Sequence, residues 1–319
     1  MTVRPQVTRR SLLAMAAVSA GFSPAVASAG SREWPIVLAT GLAGAPYGIF
    51  GRRLAHEINL RDPSLALRVR NTSASIRNLR LLGSGDADLA LALGDSAADA
   101  FAGADVFAAP EPVSALARIY LNYTHLVTDT RAGVTTVSDL AGLRVSLGAR
   151  GSGTVTVAQR VLSAAGVEPR VRPRYLGLDD SVRALRRGEV DAFFASSGVP
   201  ARGVQELVGD RRVELVPLDG LARILREEHG PAYVDVSVPA GTYGQAAEVP
   251  TVGVATFLMA RAGLPAEVAY RVTRAMFAAR LTLPGPEVPG AYLDERYAIG
   301  TGPVPLHRGA VRYYRSVYG

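Results

Sequence analysis

One structural phrase occurs twice in this chain, and that repetition constrains the fold more than any other feature. A strand-like apolar run meets a glycine-rich loop, a helix opens, a second strand and a polar turn follow, and a short helix ends in glycine before an acidic-apolar strand. The first copy runs from Trp34 to Asp95 and the second from Leu143 to Gly198. In the first, Trp34 to Thr40 reads as a strand, and Phe50, Leu54 and Ile58 recur at the four-residue spacing of one helix face. Leu65 to Val69 reads as a second strand. Thr72, Ser73 and Ser75 offer cap hydroxyls to a helix carrying Ile76, Leu79 and Leu82, and the apolar run Asp88 to Leu93 reads as a buried strand. The second copy keeps the order: strand Leu143 to Leu147, loop Gly148 to Gly153, helix Thr154 to Ala165 stopped by Gly166. Strand Val171 to Leu176, cap Asp179 to Ser181 and helix Val182 to Arg187 come next, and Asp191 to Ala195 matches Asp88 to Ala92.

Parallel strands need crossovers, and these helices supply them, so each copy is expected to form a mostly parallel sheet flanked by helices. Ala115 to Val127 reads as a strand passing from one lobe to the other, and Tyr233 to Val238 as the return crossing. Two crossings predict a two-lobed α/β fold joined by two hinge segments. Lobe 1 is discontinuous, built from residues 30–123 and 240–319, and lobe 2 spans 124–239. Thr251 to Met259 is strand-like, Pro265 opens a helix carrying Val268, Val272 and Met276 to Leu281, and the segment Pro284 to Pro305 reads as irregular.

At 319 residues and 48% apolar composition, the chain suits two packed domains. Arg4, Arg9 and Arg10 precede an apolar stretch from Leu12 to Val26 that ends in Ala27, Ser28 and Ala29. This pattern reads as an export signal cut after Ala29, too short and too rich in small residues for a permanent span of about 20 strongly apolar residues. The adjacent Arg9 and Arg10 before Ser11, Leu12 and Leu13 fit a twin-arginine signal, with an ordinary secretory signal as the alternative. The mature chain is therefore expected to be a soluble periplasmic protein. It has no cysteine, which excludes disulfides, thiolate metal sites and a lipid-modified N-terminal cysteine. Every basic side chain apart from histidine is arginine, and removing the three arginines of the signal from the net charge of +7 leaves +4. No arginine cluster interleaves with aromatics, so nucleic acid is not an expected partner, whereas a mild positive field suits anionic ligands.

Ligands of open parallel sheets gather beyond the carboxyl ends of the strands. Thr40 to Gly48, Thr72 to Ser75, Gly94 to Ser96, Gly148 to Thr154 and Ser196 to Gly198 all follow strands and form the expected binding rim. In the loop Gly148 to Thr154, glycines permit close backbone approach and the helix start presents unpaired amides. Ser152, Gly153 and Thr154 are therefore the candidates for holding a carboxylate, with Arg150 adding a paired hydrogen bond or pointing to solvent. The alternative is that Gly151 and Gly153 only shape a turn with Thr154 as helix cap. Opposite this loop, Thr40, Tyr47, Thr72 and Ser75 offer hydroxyls and a ring, and each has an ordinary reading as cap or core. Asp95 offers an acceptor, or it caps the following helix.

Signals for catalysis and cofactors are poor. His56, His125, His229 and His307 are far apart and form no metal-binding spacing. There is no Gly-x-Ser-x-Gly elbow, no dinucleotide glycine pattern and, without lysine, no phosphate-binding Gly-Lys-Ser/Thr. No cofactor and no metal are expected.

With these loops in place, the chain resembles the TAXI family of TRAP-transporter solute-binding proteins over nearly the whole mature length. The resemblance rests on Thr40-Gly41 through Tyr47, Asn78 to Leu82, Gly85 to Ala90, Gly148 to Thr154, Tyr175 to Gly177 and Asp191 to Phe194. It continues through Gly198 to Pro200, Pro239 to Tyr243, Val249 to Gly253, and Pro305 to Ala310 with Tyr313 and Tyr314. It implies a type II periplasmic-binding-protein-like fold and a monomeric receptor, not an enzyme, that closes on a small carboxylate-bearing solute and delivers it to an ion-gradient-driven membrane permease. Glutamate, glutamine and related oxo- or dicarboxylic acids are the ligands the family suggests. The candidate ligand-binding set is Thr40, Gly44, Tyr47, Thr72, Ser75, Asp95, Arg150, Ser152, Gly153, Thr154, Gly198 and Tyr243. The chain departs from the family's usual pattern at Leu42, Ala45, Pro46, Ser73, Ala74, Leu93, Gly94, Arg150 and Val155, and losing polar groups while gaining Arg150 suggests a more plainly anionic ligand. Two other readings use the same residues: a ligand-binding partner of a membrane sensor kinase, and a periplasmic enzyme acting through Ser152 or Tyr243, for which no base is evident nearby in sequence.

Overall fold

In a computed structural model, which describes residues 35–207, 213–283 and 293–319, the two copies have the same wiring. The first is β1 (Val37–Ala39), α1 (Pro46–Arg61), β2 (Arg68–Arg70), α2 (Ser75–Gly83) and β3 (Leu89–Leu93), followed by α3 (Gly94–Ala102). The long strand β4 (Val113–Asp129) then leads to the second copy: β5 (Arg144–Ser146), α4 (Gly153–Ala164), β6 (Arg172–Arg174), α5 (Leu178–Arg186) and β7 (Ala192–Ser197). The chain continues through α6 (Arg202–Gln205), β8 (Val213–Leu215), α7 (Leu221–His229), β9 (Tyr233–Val238), β10 (Val249–Arg261), α8 (Ala266–Ala278), α9 (Glu295–Ala298) and α10 (Arg308–Tyr318). The export signal and Trp34 lie outside the described residues, as does the part of the expected irregular segment from 284 to 292.

Within each copy all pairing is parallel and the first strand is central, with β1 between β2 and β3 and β5 between β6 and β7. Antiparallel β4 and β10 join the two sets into one mixed sheet in the order β2-β1-β3-β10-β4-β7-β5-β6. The β4 residues from Val113 to Tyr123 pair with β10, and those from Tyr123 to Thr128 pair with β7, so β4 belongs to both halves of the sheet. The expected crossing segment Tyr233–Val238 and the longer strand β10 are neighbours in the sheet. The segment lies antiparallel beside β10, and β10 carries the longer apolar run that β3 and β4 bury on either side.

The repeated acidic residue has a structural task. Asp88 Oδ2 accepts the amide of Val37 at 3.0 Å, and Asp191 Oδ2 accepts that of Arg144 at 2.8 Å. Each acid thus satisfies the first amide of the central strand of its own copy, a donor that would otherwise be left over where the ladder begins. Leu38, Leu54, Ile58, Leu89 and Leu91 of the first copy and Val145, Val161 and Phe194 of the second are buried completely or nearly so. At about 1.5–3 kcal/mol for each large apolar side chain, such residues supply the main stabilisation. The edge strands β2 (RVR) and β6 (RPR) flank their one central side chain with exposed arginines, a composition that discourages further strand pairing at either end of the sheet.

Candidate functional site

The carboxyl ends of β1, β3, β5 and β7 converge on a cavity of about 80 Å³ between the two copies. From the first copy it is lined by Leu42, Pro46, Tyr47, Ser75 and Leu93, and from the second by Gly148, Ser152, Gly153, Thr154, Phe194 and Ser196, among others. At ~30 Å³ for a molecule of liquid water, the space corresponds to roughly two to three waters.

The polar groups of this cavity come from the start of α4. Ser152 occupies the cap position in extended backbone (φ −91°, ψ 155°), where a serine oxygen ordinarily accepts an amide of the first turn. Here it does not: Ser152 is buried and its Oγ has no hydrogen-bond partner. Among the described residues no protein acceptor takes the amides of Gly153 or Thr154 either. The neighbouring amides are used, Ser152 N donating to Ala149 O at 3.0 Å and Val155 N to Ser152 O at 3.2 Å. Facing this turn from β7, Ser196 Oγ is a second buried hydroxyl with no partner. Each buried polar group left without a partner costs about 1–3 kcal/mol. The helix start adds a positive end of worth ~0.3–1 kcal/mol toward an anion. Convergent donors in a space walled by Tyr47, Leu93 and Phe194 are chemically suited to an acid group on a short apolar stem.

Two glycines let the copies approach this closely. A Cβ on Gly153 would lie 2.7 Å from Ser75 Oγ and 2.8 Å from Leu93 Cδ1, and one on Gly44 would lie 2.9 Å from Asp179 Oδ2. In both cases the obstructing atom belongs to the opposite copy. Arg77 N donates to Gly151 O at 3.1 Å across the same gap.

The structure brings Tyr47, Ser75, Ser152, Gly153 and Thr154 of the expected set to the cavity wall. Tyr47 presents its ring, and its buried hydroxyl pairs with Thr256 Oγ1 at 3.0 Å, burial raising its pKa well above the ordinary tyrosine range. Ser75 Oγ accepts the amide of Leu93 at 3.0 Å, so it holds the end of β3 as well as lining the cavity.

Other members of the set take structural positions away from the cavity. Thr40 is fully buried and caps strand ends, while Thr72 Oγ1 donates to Thr40 O at 2.8 Å and accepts Ala74 N at 2.9 Å. Asn78, which the sequence presented as part of a motif only, donates to both Thr40 O (2.7 Å) and Leu91 O (2.8 Å) and so ties β1 to β3. Arg150 stacks its guanidinium over the Tyr175 ring, 4.0 Å from the centroid, and Gly198 does not line the cavity. Asp95 points elsewhere, into a buried network: its Oδ1 accepts Ser96 N and its Oδ2 accepts Tyr233 Oη at 2.9 Å. Arg160 donates to Tyr233 Oη (2.7 Å) and Asp99 Oδ2 (2.8 Å), and Asp105 lies 3.3 Å away. Three carboxylates thus converge on one guanidinium. Burial raises the pKa of Asp95 and pushes that of Asp99 up to about 6, against the pull of Arg160.

Tyr243 also lies outside the cavity, and a base does stand beside it, contrary to the sequence expectation. Its hydroxyl accepts Ala201 N at 2.6 Å and meets His125 Nε2 at 2.9 Å. Burial lowers the His125 pKa to about 4 and raises that of Tyr243 to about 12. The pair therefore stays neutral through the physiological range, with His125 Nδ1 donating to Tyr123 O and the tyrosine proton shared with Nε2.

Ser196, like Ser73, is a polar residue of the cavity wall missing from the candidate set, although it fell on the expected rim. The alignment of Asp88 with Asp191 places it opposite Leu93 at the end of the equivalent strand, so the repeat register itself contained the signal.

A copy-linker-copy α/β sheet of this kind, with its crevice at the strand ends, defines the type II periplasmic-binding-protein fold. MatC from Rhodopseudomonas palustris with bound malate matches 77% of this chain and 84% of its own, at 16% identity and a TM-score of 0.54. PhnD1 from Prochlorococcus marinus in complex with methylphosphonate matches 78% and 85%, at 12% identity and a TM-score of 0.51. The chain itself belongs to the NMT1-like family, whose model matches residues 38–317.

Proposed function

We propose that the protein is a periplasmic solute receptor of the TAXI type that captures a small carboxylate between its two copies and presents it to a TRAP permease. The observation that carries this reading is the start of α4, where Ser152 Oγ and the amides of Gly153 and Thr154 are left without protein partners beside the equally unpaired Ser196 Oγ. A carboxylate has about four acceptor sites on its two oxygens and matches such a donor group. The two similarly folded proteins hold malate and methylphosphonate, both small anions, which supports an acidic solute. The copies are in contact around the crevice, so a solute enters when they part and favours the closed arrangement by its greater affinity for it. In this reading lobe 1 comprises residues 30–123 and 240–319 and lobe 2 comprises residues 124–239, with β4 and β10 as the hinge strands. The size of the crevice favours acids of a few carbons with Tyr47, Leu93 and Phe194 covering the stem.

No catalytic role is assigned, and the signal at the chain's start provides export. Among the described residues no helix is long and apolar enough to cross a membrane. Titration calorimetry against two- to five-carbon mono-, oxo- and dicarboxylic acids, glutamate and glutamine tests the reading. Saturable binding of at least one acid, weakened in Ser152→Ala, which removes only the unpaired hydroxyl, is expected. Binding of none of them, or binding indifferent to that substitution, overturns it.

A further inference from the structure

Strand β4 is buried at sixteen of its seventeen positions, and the one residue that opens to the surface is Arg118. Its cross-strand neighbour on β10 is Phe257, and the two share one face of the sheet. Both line a second cavity, of about 770 Å³, which shares no lining residue with the strand-end crevice. Its walls are the flank of α3, with Ala98 and Phe101, the sheet surface of Leu121 and Phe257, the side of α4 at Thr156 and Arg160, and the turn from α7 into β9. The acid that α3 places on this wall, Asp99, is directed at Arg160, as is the neighbouring Asp105. Arg118, by contrast, has no hydrogen bond and no ion pair with any of the described residues. Its guanidinium is partly desolvated, which depresses its pKa, and a cation in that state gains from any anion brought into contact with it.

We propose that this groove is a second binding site, for a monocarboxylate with an apolar body, whose acid group rests on Arg118 and whose body lies against Phe101, Leu121 and Phe257. Its volume falls in the range of pockets that enclose ring-sized ligands, and planar two-point pairing is the geometry a guanidinium offers a carboxylate. Asp99, Asp105, Glu168 and Glu228 on the same walls disfavour polyacids. The site does not depend on the crevice reading: it uses the faces of β4, β10 and α3 rather than the start of α4.

Benzoate is the probe, followed by calorimetry and by saturation-transfer NMR, with benzyl alcohol as the uncharged control. Wild-type protein is expected to bind benzoate saturably and benzyl alcohol at least tenfold more weakly. Arg118→Gln removes the charge and Ala98→Trp fills the groove from α3 without touching the charge. Each is expected to weaken benzoate at least tenfold, and Ala98→Trp decides the matter if Arg118→Gln does not fold. Gly153→Val, whose added side chain meets Ser75 and Leu93 rather than any wall of the groove, is expected to leave benzoate affinity within twofold. No saturable binding by the wild type, affinity unchanged in the groove variants, or loss of binding in Gly153→Val overturns the proposal. Loss of small-acid binding in Gly153→Val with benzoate retained separates the two sites.

Discussion

Adding one methyl group at Gly153 probes the crevice with little change to either copy. The new Cβ of Gly153→Ala would lie 2.7 Å from Ser75 Oγ and 2.8 Å from Leu93 Cδ1, about 1 Å inside an ordinary carbon contact of ~3.5–4.0 Å. Neither neighbour can easily withdraw, because Ser75 Oγ is fixed by the Leu93 amide and Leu93 ends a buried strand. Overpacking of this kind costs about 1–3 kcal/mol, and it is charged only to the arrangement in which the copies touch. Gly153 is the first residue of α4 and has no left-handed backbone, so alanine costs the isolated helix nothing and improves its propensity. At ~1.4 kcal/mol per tenfold, ligand affinity should fall roughly 5- to 150-fold. Unfolding of the ligand-free protein should change by less than about 1 kcal/mol. Calorimetry with the tightest acid from the screen and urea melts without ligand measure the two quantities. A Kd within twofold of the wild type, or a stability loss as large as the affinity loss, would refute the reasoning.

Thr154→Ala, which removes a wall hydroxyl and keeps the amide, should weaken the acid by less than tenfold in calorimetry, whereas Thr154→Pro deletes the amide donor and should weaken it more. Arg160→Leu leaves Asp95 and Asp99 buried without their cation, and should lower unfolding free energy by ~3–5 kcal/mol in urea melts at pH 7. Asp99 binds its proton more tightly folded than unfolded, since its pKa rises from 3.8 to about 6. Stability therefore falls as pH rises from about 4 to 6, and Asp99→Asn should flatten that fall in urea melts across the window. Asp139 is the opposite case. Amide and hydroxyl bonds from Thr135 and Thr136 hold its pKa at about 2, so its contribution is present above pH 4 and is lost as pH falls from 3.8 toward 2, a trend Asp139→Asn should flatten in acid melts.

The repeat was legible because its signals are local. The Phe50, Leu54 and Ile58 stripe, the apolar runs after Asp88 and Asp191 and the glycines that stop helices all depend on neighbours within a few residues. Strand partners were less so. The alternating YVDVSV was readable as a strand, but the 13-residue β10 that holds β3 and β4 together was read only as strand-like from Thr251 to Met259, since a strand buried on both faces shows no period to read. Helix starts shifted by a turn for a related reason: Pro46 and Leu178 open their helices where the sequence showed loop and cap residues. Gly153 and Thr154, which line the cavity, were picked out through the geometry any helix start shares. Asp95 was misplaced because its partner Tyr233 is 138 residues away and no spacing rule reaches that far.

The central claim concerns two peptide nitrogens. Titrating ¹⁵N-labelled protein with the tightest acid from the screen, and following each backbone amide, addresses it without any substitution. The amides of Gly153 and Thr154 should show the largest downfield shifts and saturate with the calorimetric Kd. Saturable binding during which both resonances stay in place would contradict the account.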